Sequence, residues 1–188
     1  MDSLPQIELT ACRSAEYLAL QQLIADAATS ADDTLDLTTA FLIVKEIRYQ
    51  SLQQQLEPVT LTHYFLHCLG EPYSSYLSSQ HCSHSWFNLS DREARKRITD
   101  LLTQGVSAEI PVFDSNALAL SYTNRLIQFI GEPYTCFSNI EPEKLQNFEP
   151  FYKSRSGFSV FRVGHCCDEG VVLISPKYIG LLWFLGYD

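Results

Sequence analysis

The segment Tyr178-Ile-Gly-Leu-Leu-Trp-Phe-Leu-Gly-Tyr-Asp188 carries no charge before its last residue, and large apolar side chains occupy both alternations of it. Successive side chains of a strand point to opposite faces, so such a strand has to be covered on both. The chain is therefore expected to build a sheet with packed layers on either side and to place 178–184 at its centre. Runs 158–163 and 171–174 are also β-branched or aromatic and of strand length. The links between the three runs, Gly164-His-Cys-Cys-Asp-Glu-Gly170 and Ser175-Pro-Lys177, are short enough to join antiparallel neighbours. A C-terminal antiparallel meander is predicted.

Helical signals dominate the earlier part. Ser14 is a candidate cap for a helix over 14–29, with Tyr17, Leu20 and Ile24 on one side. Ala40, Phe41, Val44 and Ile47 recur at helical spacing and predict a second helix over 37–56, stopped at Glu57-Pro58. A third covers about 60–69. Ser90-Asp-Arg-Glu93 fits a capping box opening a fourth helix. On that helix Asp91–Arg95 and Glu93–Arg97 are spaced as i,i+4 pairs, so the cluster Arg92, Arg95, Lys96 and Arg97 reads as a salt-bridged exposed face. A short edge strand is expected over 108–113, and a fifth helix from Ser115 to Gly131 with Asp114 as its cap. Helices first and strands last, without βαβ alternation, predict an α+β fold in a single domain over 1–188.

One self-similarity runs through this pattern. Phe65-Leu-His-Cys-Leu-Gly-Glu-Pro-Tyr-Ser-Ser-Tyr76 aligns without gaps with Leu126-Ile-Gln-Phe-Ile-Gly-Glu-Pro-Tyr-Thr-Cys-Phe137. In each copy a glycine can end the helix in a positive-φ conformation, and a proline two residues later prevents its resumption. The expectation is a duplicated helix–turn–strand unit, about 59–113 and 114–188, preceded by an acidic helical segment 1–58. The structural reading is a helix-to-strand corner used twice. The functional alternative is a ligand site made of Glu71, Tyr73, Glu132 and Tyr134, in which the two carboxylates act as acid and base or hold a hard cation.

A second candidate cluster joins histidine and cysteine. All five histidines fall in three tracts, His63-x3-His67-Cys68, His81-Cys82-Ser-His84 and His165-Cys166-Cys167-Asp168. His63 and His67 are one helical turn apart, and His63, His67, His81, Cys82, His84, His165 and Cys166 together offer enough donors for zinc. The spacings match no finger or ribbon, and H-E-x-x-H is absent. A cysteine nucleophile, Cys82 or Cys136 with a distant histidine, is the other catalytic alternative.

Composition narrows the function classes. With 13 Lys+Arg against 22 Asp+Glu the 188-residue chain carries −9, which argues against a nucleic-acid partner. Up to residue 58 nine acidic residues face only Arg13, Lys45 and Arg48, so two-thirds of the net charge lies there. The first residues lack the basic start and apolar run of a secretory signal, and no stretch approaches the ~20 apolar residues of a membrane span. The expectation is a cytoplasmic protein with reduced thiols, no membrane partner and no required cofactor. The leading functional expectation is a non-catalytic interaction or regulatory protein that binds a protein partner. The alternatives are a metal- or thiol-dependent enzyme and a small-molecule binder, with a homodimer through the C-terminal strand left open.

Overall fold

The structure, a computed structural model, describes residues 7–28, 40–49, 56–71, 73–78, 85–104, 111–141, 159–161 and 167–186. Strand β6, Tyr178–Gly186, lies inside a six-stranded sheet whose order is β1-β2-β6-β5-β4-β3. The other strands are β1 (Ile7–Ala11), β2 (Ala40–Tyr49), β3 (Phe87–Leu89), β4 (Thr135–Ser138) and β5 (Cys167–Ile174), and every neighbouring pair is antiparallel. The helices are α1 (Ala15–Ala28), α2 (Pro58–His67), α3 (Asp91–Gln104) and α4 (Asn116–Ile130). The fold is α+β, as predicted, but helices do not come first and strands last: β1, β2 and β3 lie among the helices of the first half.

Two apolar clusters cover the two faces of the sheet. Leu182, Phe184 and Tyr178 of β6 pack with α1, α3 and α4, whereas Ile179, Leu181, Trp183 and Leu185 pack with α2 and with Val160 and Phe161. The double-sided apolar pattern of β6 thus has its physical counterpart in a helix layer on each side. Gly180 admits this packing: a Cβ there would sit 3.1 Å from Ile130 Cδ1 of α4 and 3.3 Å from Val44 Cγ2. The β5–β6 hairpin is closed at Ser175, whose N–H donates to Tyr178 O at 2.8 Å and whose hydroxyl accepts from Tyr178 N at 3.1 Å.

Local start signals behave as their chemistry requires. Ser14 Oγ accepts from Tyr17 N at 3.1 Å and opens α1. The box at Ser90 forms in both directions, with Ser90 N donating to Glu93 Oε2 at 2.8 Å and Glu93 N to Ser90 Oγ at 3.4 Å. For α4 the cap is Ser115 and not Asp114, with Ser115 Oγ accepting from Leu118 N.

Several expectations are corrected. Of the helix predicted over 37–56, residues 40–49 form strand β2, and 37–39 and 50–55 lie outside the described residues. A strand covered on both faces loses its alternation, and Ala40, Phe41, Leu42, Val44 and Ile47 are all buried. The predicted edge strand over 108–113 is not formed at its described end, where 111–114 bends and Phe113 N donates to Leu102 O; residues 105–110 lie outside the described residues. The meander exists, but its first strand is β4 and not 158–163. Of that run the described residues 159–161 form one bridge, Phe161 to Leu77. The acidic helical segment is in fact β1, α1 and β2, and four of its nine acids, Asp2, Asp32, Asp33 and Asp36, lie outside the described residues.

The predicted Glu93–Arg97 pair is replaced as well. Arg97 shares the buried stripe of α3 with Ala94, Ile98 and Leu101, and its guanidinium pairs with Glu169 of β5, both side chains being no more than 5% exposed. On the opposite face Asp168 Oδ2 accepts from Val160 N at 2.7 Å, Phe161 N at 2.8 Å and Trp183 Nε1 at 3.1 Å, tying 159–161 down to the sheet. Burial pushes the Asp168 carboxyl up, against these donors.

Candidate functional site

The two Gly-Glu-Pro-Tyr corners diverge. The first follows α2 on one face of the sheet, and the second follows α4 on the other. After the first, Tyr73–Tyr76 forms a 3-10 turn, and Tyr73 packs on Phe41 with ring centroids 4.4 Å apart. Glu71 accepts from Ser74 Oγ at 2.8 Å, a bond that holds its carboxyl below the usual range. After the second, the chain enters β4. Gly131 has φ 85°, which only glycine adopts freely, and the Glu132-Pro133 bond is cis. The fold does not confirm a duplicated unit.

The second corner builds a site that the first lacks. Leu89 of β3 faces Cys136 of β4 in register. The start of α3, two residues beyond Leu89, is therefore brought beside Tyr134, two residues before Cys136. Leu89, Asp91, Glu132, Pro133 and Tyr134 line a groove of about 660 Å³. Within it the Tyr134 hydroxyl donates to Asp91 Oδ1. Arg95 Nε donates to both oxygens of Asp91, at 3.0 and 2.9 Å, and Arg95 Nη1 donates to Asn124 Oδ1 of α4 at 3.1 Å. Arg95 Nη2 lies 3.8 Å from Glu132 Oε1. One guanidinium thus joins α3, α4 and the corner.

The electrostatics follow from these partners. The Tyr134 hydroxyl and then Arg95 hold the Asp91 carboxyl below its usual range. Burial, then the neighbouring Asp91 carboxylate, pushes the Tyr134 phenol up. Cys136 is buried beneath the corner, and burial pushes its thiol up too, so it is not an activated nucleophile. The Asp91 carboxyl is held toward its charged form and the Tyr134 phenol toward its protonated form, so neither of these two is poised to exchange protons near neutral pH.

Comparison with family models, with curated proteins and with solved structures finds no match to this chain. The chemistry of the residues has to carry the functional reading. Of the sequence candidates, Glu132 and Tyr134 line the groove, whereas Glu71 and Tyr73 belong to the other corner. His63 and His67 lie on α2; His81, Cys82, His84, His165 and Cys166 lie outside the described residues. Among the described residues no group of three or more His, Cys, Asp or Glu side chains is gathered to hold a metal ion. Asp91 and Arg95 enter the site although the sequence marks them only as a local helical pair. The signal that finds them is the β3–β4 pairing, which short strands such as Phe87-Asn-Leu89 announce weakly.

Tyr134→Phe tests the network. Asp91 has a folded-state pKa below its unfolded value of about 3.9, so its contribution to stability is present above that value and is lost as pH falls through the lower one. Removing the hydroxyl, the largest cause, is expected to raise the Asp91 pKa toward the ordinary value, read from the ¹³C shift of its carboxyl. An unchanged titration would mean that the phenol does not donate to it.

Proposed function

We propose that the protein is a non-catalytic binding module whose second Gly-Glu-Pro-Tyr corner receives a basic side chain of a protein partner. The observation that carries this reading is the Tyr134–Asp91–Arg95–Glu132 network, in which the polar groups are positioned by one another. Asp91 and Glu132 nevertheless keep 59% and 73% of their side-chain surface exposed, leaving acceptor capacity for an incoming cation. Arg95 offsets one of the two negative charges, so the groove keeps an excess of one. Leu89, Pro133 and the Tyr134 ring supply an apolar wall for the methylene stem of Lys or Arg. The chain's −9 adds long-range attraction for a basic partner. Among the described residues no helix is long and apolar enough to cross a membrane.

Fluorescence anisotropy with a labelled Ala-Lys-Ala-Arg-Ala peptide tests this. Saturable binding that weakens with added salt is expected, and Glu132→Lys should lower affinity by about tenfold or more. Glu71→Lys makes the same change of net charge at the other corner and should stay within about twofold. Equal losses in the two variants would reduce the effect to net charge and overturn the assignment.

A further inference from the structure

A separate groove gathers positive charge on this acidic chain. It has a volume of about 500 Å³, and Arg13, Ser14, Glu46, Arg48, Lys177 and Tyr178 are among the residues that line it. The cations come from three elements: Arg13 from the loop between β1 and α1, Arg48 from β2 and Lys177 from the β5–β6 turn. Backbone bonds fix their placement. Cys12 N donates to Val44 O at 3.3 Å, which continues the β1–β2 pairing up to the residue before Arg13, and Ile47 N donates to Lys177 O at 2.8 Å. Lys177 Nζ stands 4.8 Å from the centroid of the Tyr178 ring, which borders the same hollow.

The carboxylates nearby bear on Arg48 and leave Arg13 and Lys177 without an ion pair. Among the described residues Glu46 is the one acid lining the groove and approaches Arg48 to 4.0 Å, while Glu8 of β1 stands opposite Arg48 in the β1–β2 register. Glu16 in the first turn of α1 is turned to Arg125 of α4 at 3.0 Å. Neither Arg13 nor Lys177 forms an ion pair with a described carboxylate. Ser14 places the start of α1 on the rim, adding the N–H groups of the first turn that have no intrahelical acceptor.

We propose that this groove binds the phosphoryl group of a small phosphorylated molecule, with Arg13, Arg48 and Lys177 around the anion. Glu46 and Glu8 both bear on Arg48, so the positive charge left over comes from Arg13 and Lys177, and guanidinium and ammonium groups are the usual phosphate donors. The chain's net −9 opposes a polyanion, so a nucleic acid or an anionic membrane is disfavoured while a single phosphoryl group is not. The hollow has room for a sugar or glycerol moiety behind the phosphate.

The test is an ¹⁵N–¹H titration with inorganic phosphate and, separately, with glycerol 3-phosphate, with sodium chloride at matched ionic strength as the control. Saturable shifts at Arg13, Ser14, Ala15 and Lys177 are expected with both phosphates, with tighter binding of glycerol 3-phosphate. Arg13→Gln and Lys177→Gln should each weaken it by about fivefold or more. Both side chains are exposed, so the unchanged remainder of each spectrum confirms the fold. Shifts reproduced by sodium chloride, or affinity unchanged in both variants, would overturn the proposal. Binding of inorganic phosphate alone, with no gain from the glycerol moiety, would overturn the assignment to a phosphorylated small molecule.

Discussion

Gly170→Ala is expected to destabilise the protein by about 3 kcal/mol or more, enough to remove a large part of the stability of a domain this size. Gly170 faces Trp183 across the β5–β6 pair, and the indole lies over the space where a side chain would begin. A Cβ at 170 would stand 2.2 Å from Trp183 Cε3 and 2.4 Å from the backbone oxygen of Leu182. Neither can retreat. Trp183 is fully buried and its Nε1–H is held by Asp168, while Leu182 O belongs to a central strand covered on both faces. Gly180→Ala is the matched control, because its Cβ would come closest to side-chain methyls of Ile130 and Val44, at 3.1 and 3.3 Å, and would meet backbone only at the ordinary contact distance of 3.9 Å from Ile43 O. Its expected cost is about 1 kcal/mol. Urea unfolding followed by tryptophan fluorescence reads both. Equal midpoints would mean that the indole does not cover Gly170.

The second large effect is at the buried ion pair. Glu169→Ala is expected to cost about 3–5 kcal/mol, because it leaves the Arg97 guanidinium charged and unpaired between α3 and the sheet. The pair itself is not a large net source of stability. Arg97 Nε is buried without an acceptor among the described residues, and both charges lost their hydration on folding. Arg97→Met combined with Glu169→Leu should therefore recover most of the loss, to within about 1–2 kcal/mol of the parent. A Glu169→Ala cost below about 1 kcal/mol would show the carboxylate to be solvated and the pairing incidental.

Which parts of this architecture the sequence discloses depends on how local their causes are. The cap at Ser14, the box at Ser90 and the break at Gly131 each involve a few neighbouring residues, and each is formed as its residue types require. The centrality of β6 is equally legible, since only a strand with two covers can be apolar at every position. Strand β2 is not, for the same physical reason: burial on both faces removes the period-two alternation, and Ala40, Phe41, Val44 and Ile47 then mimic a helical stripe. The i,i+4 relation of Arg97 to Glu93 suggests an exposed pair, although its spacing from Ala94 and Leu101 puts it on the buried stripe. The Gly-Glu-Pro-Tyr identity describes the chain's turning and not what surrounds the turn. One copy meets Phe41, and the other meets Asp91 and Arg95 through strand pairing. Half of the corner site is therefore readable in sequence, and the half that gives it charge is a consequence of topology.

The most direct test of the binding reading is where a basic ligand lands. In an ¹⁵N–¹H titration with the Ala-Lys-Ala-Arg-Ala peptide, the largest shift changes are expected at Asp91, Glu132 and Tyr134, with Glu71 and Ser74 at the other corner unmoved. Changes spread evenly over both corners, or absent from Asp91, Glu132 and Tyr134 at saturation, would contradict it.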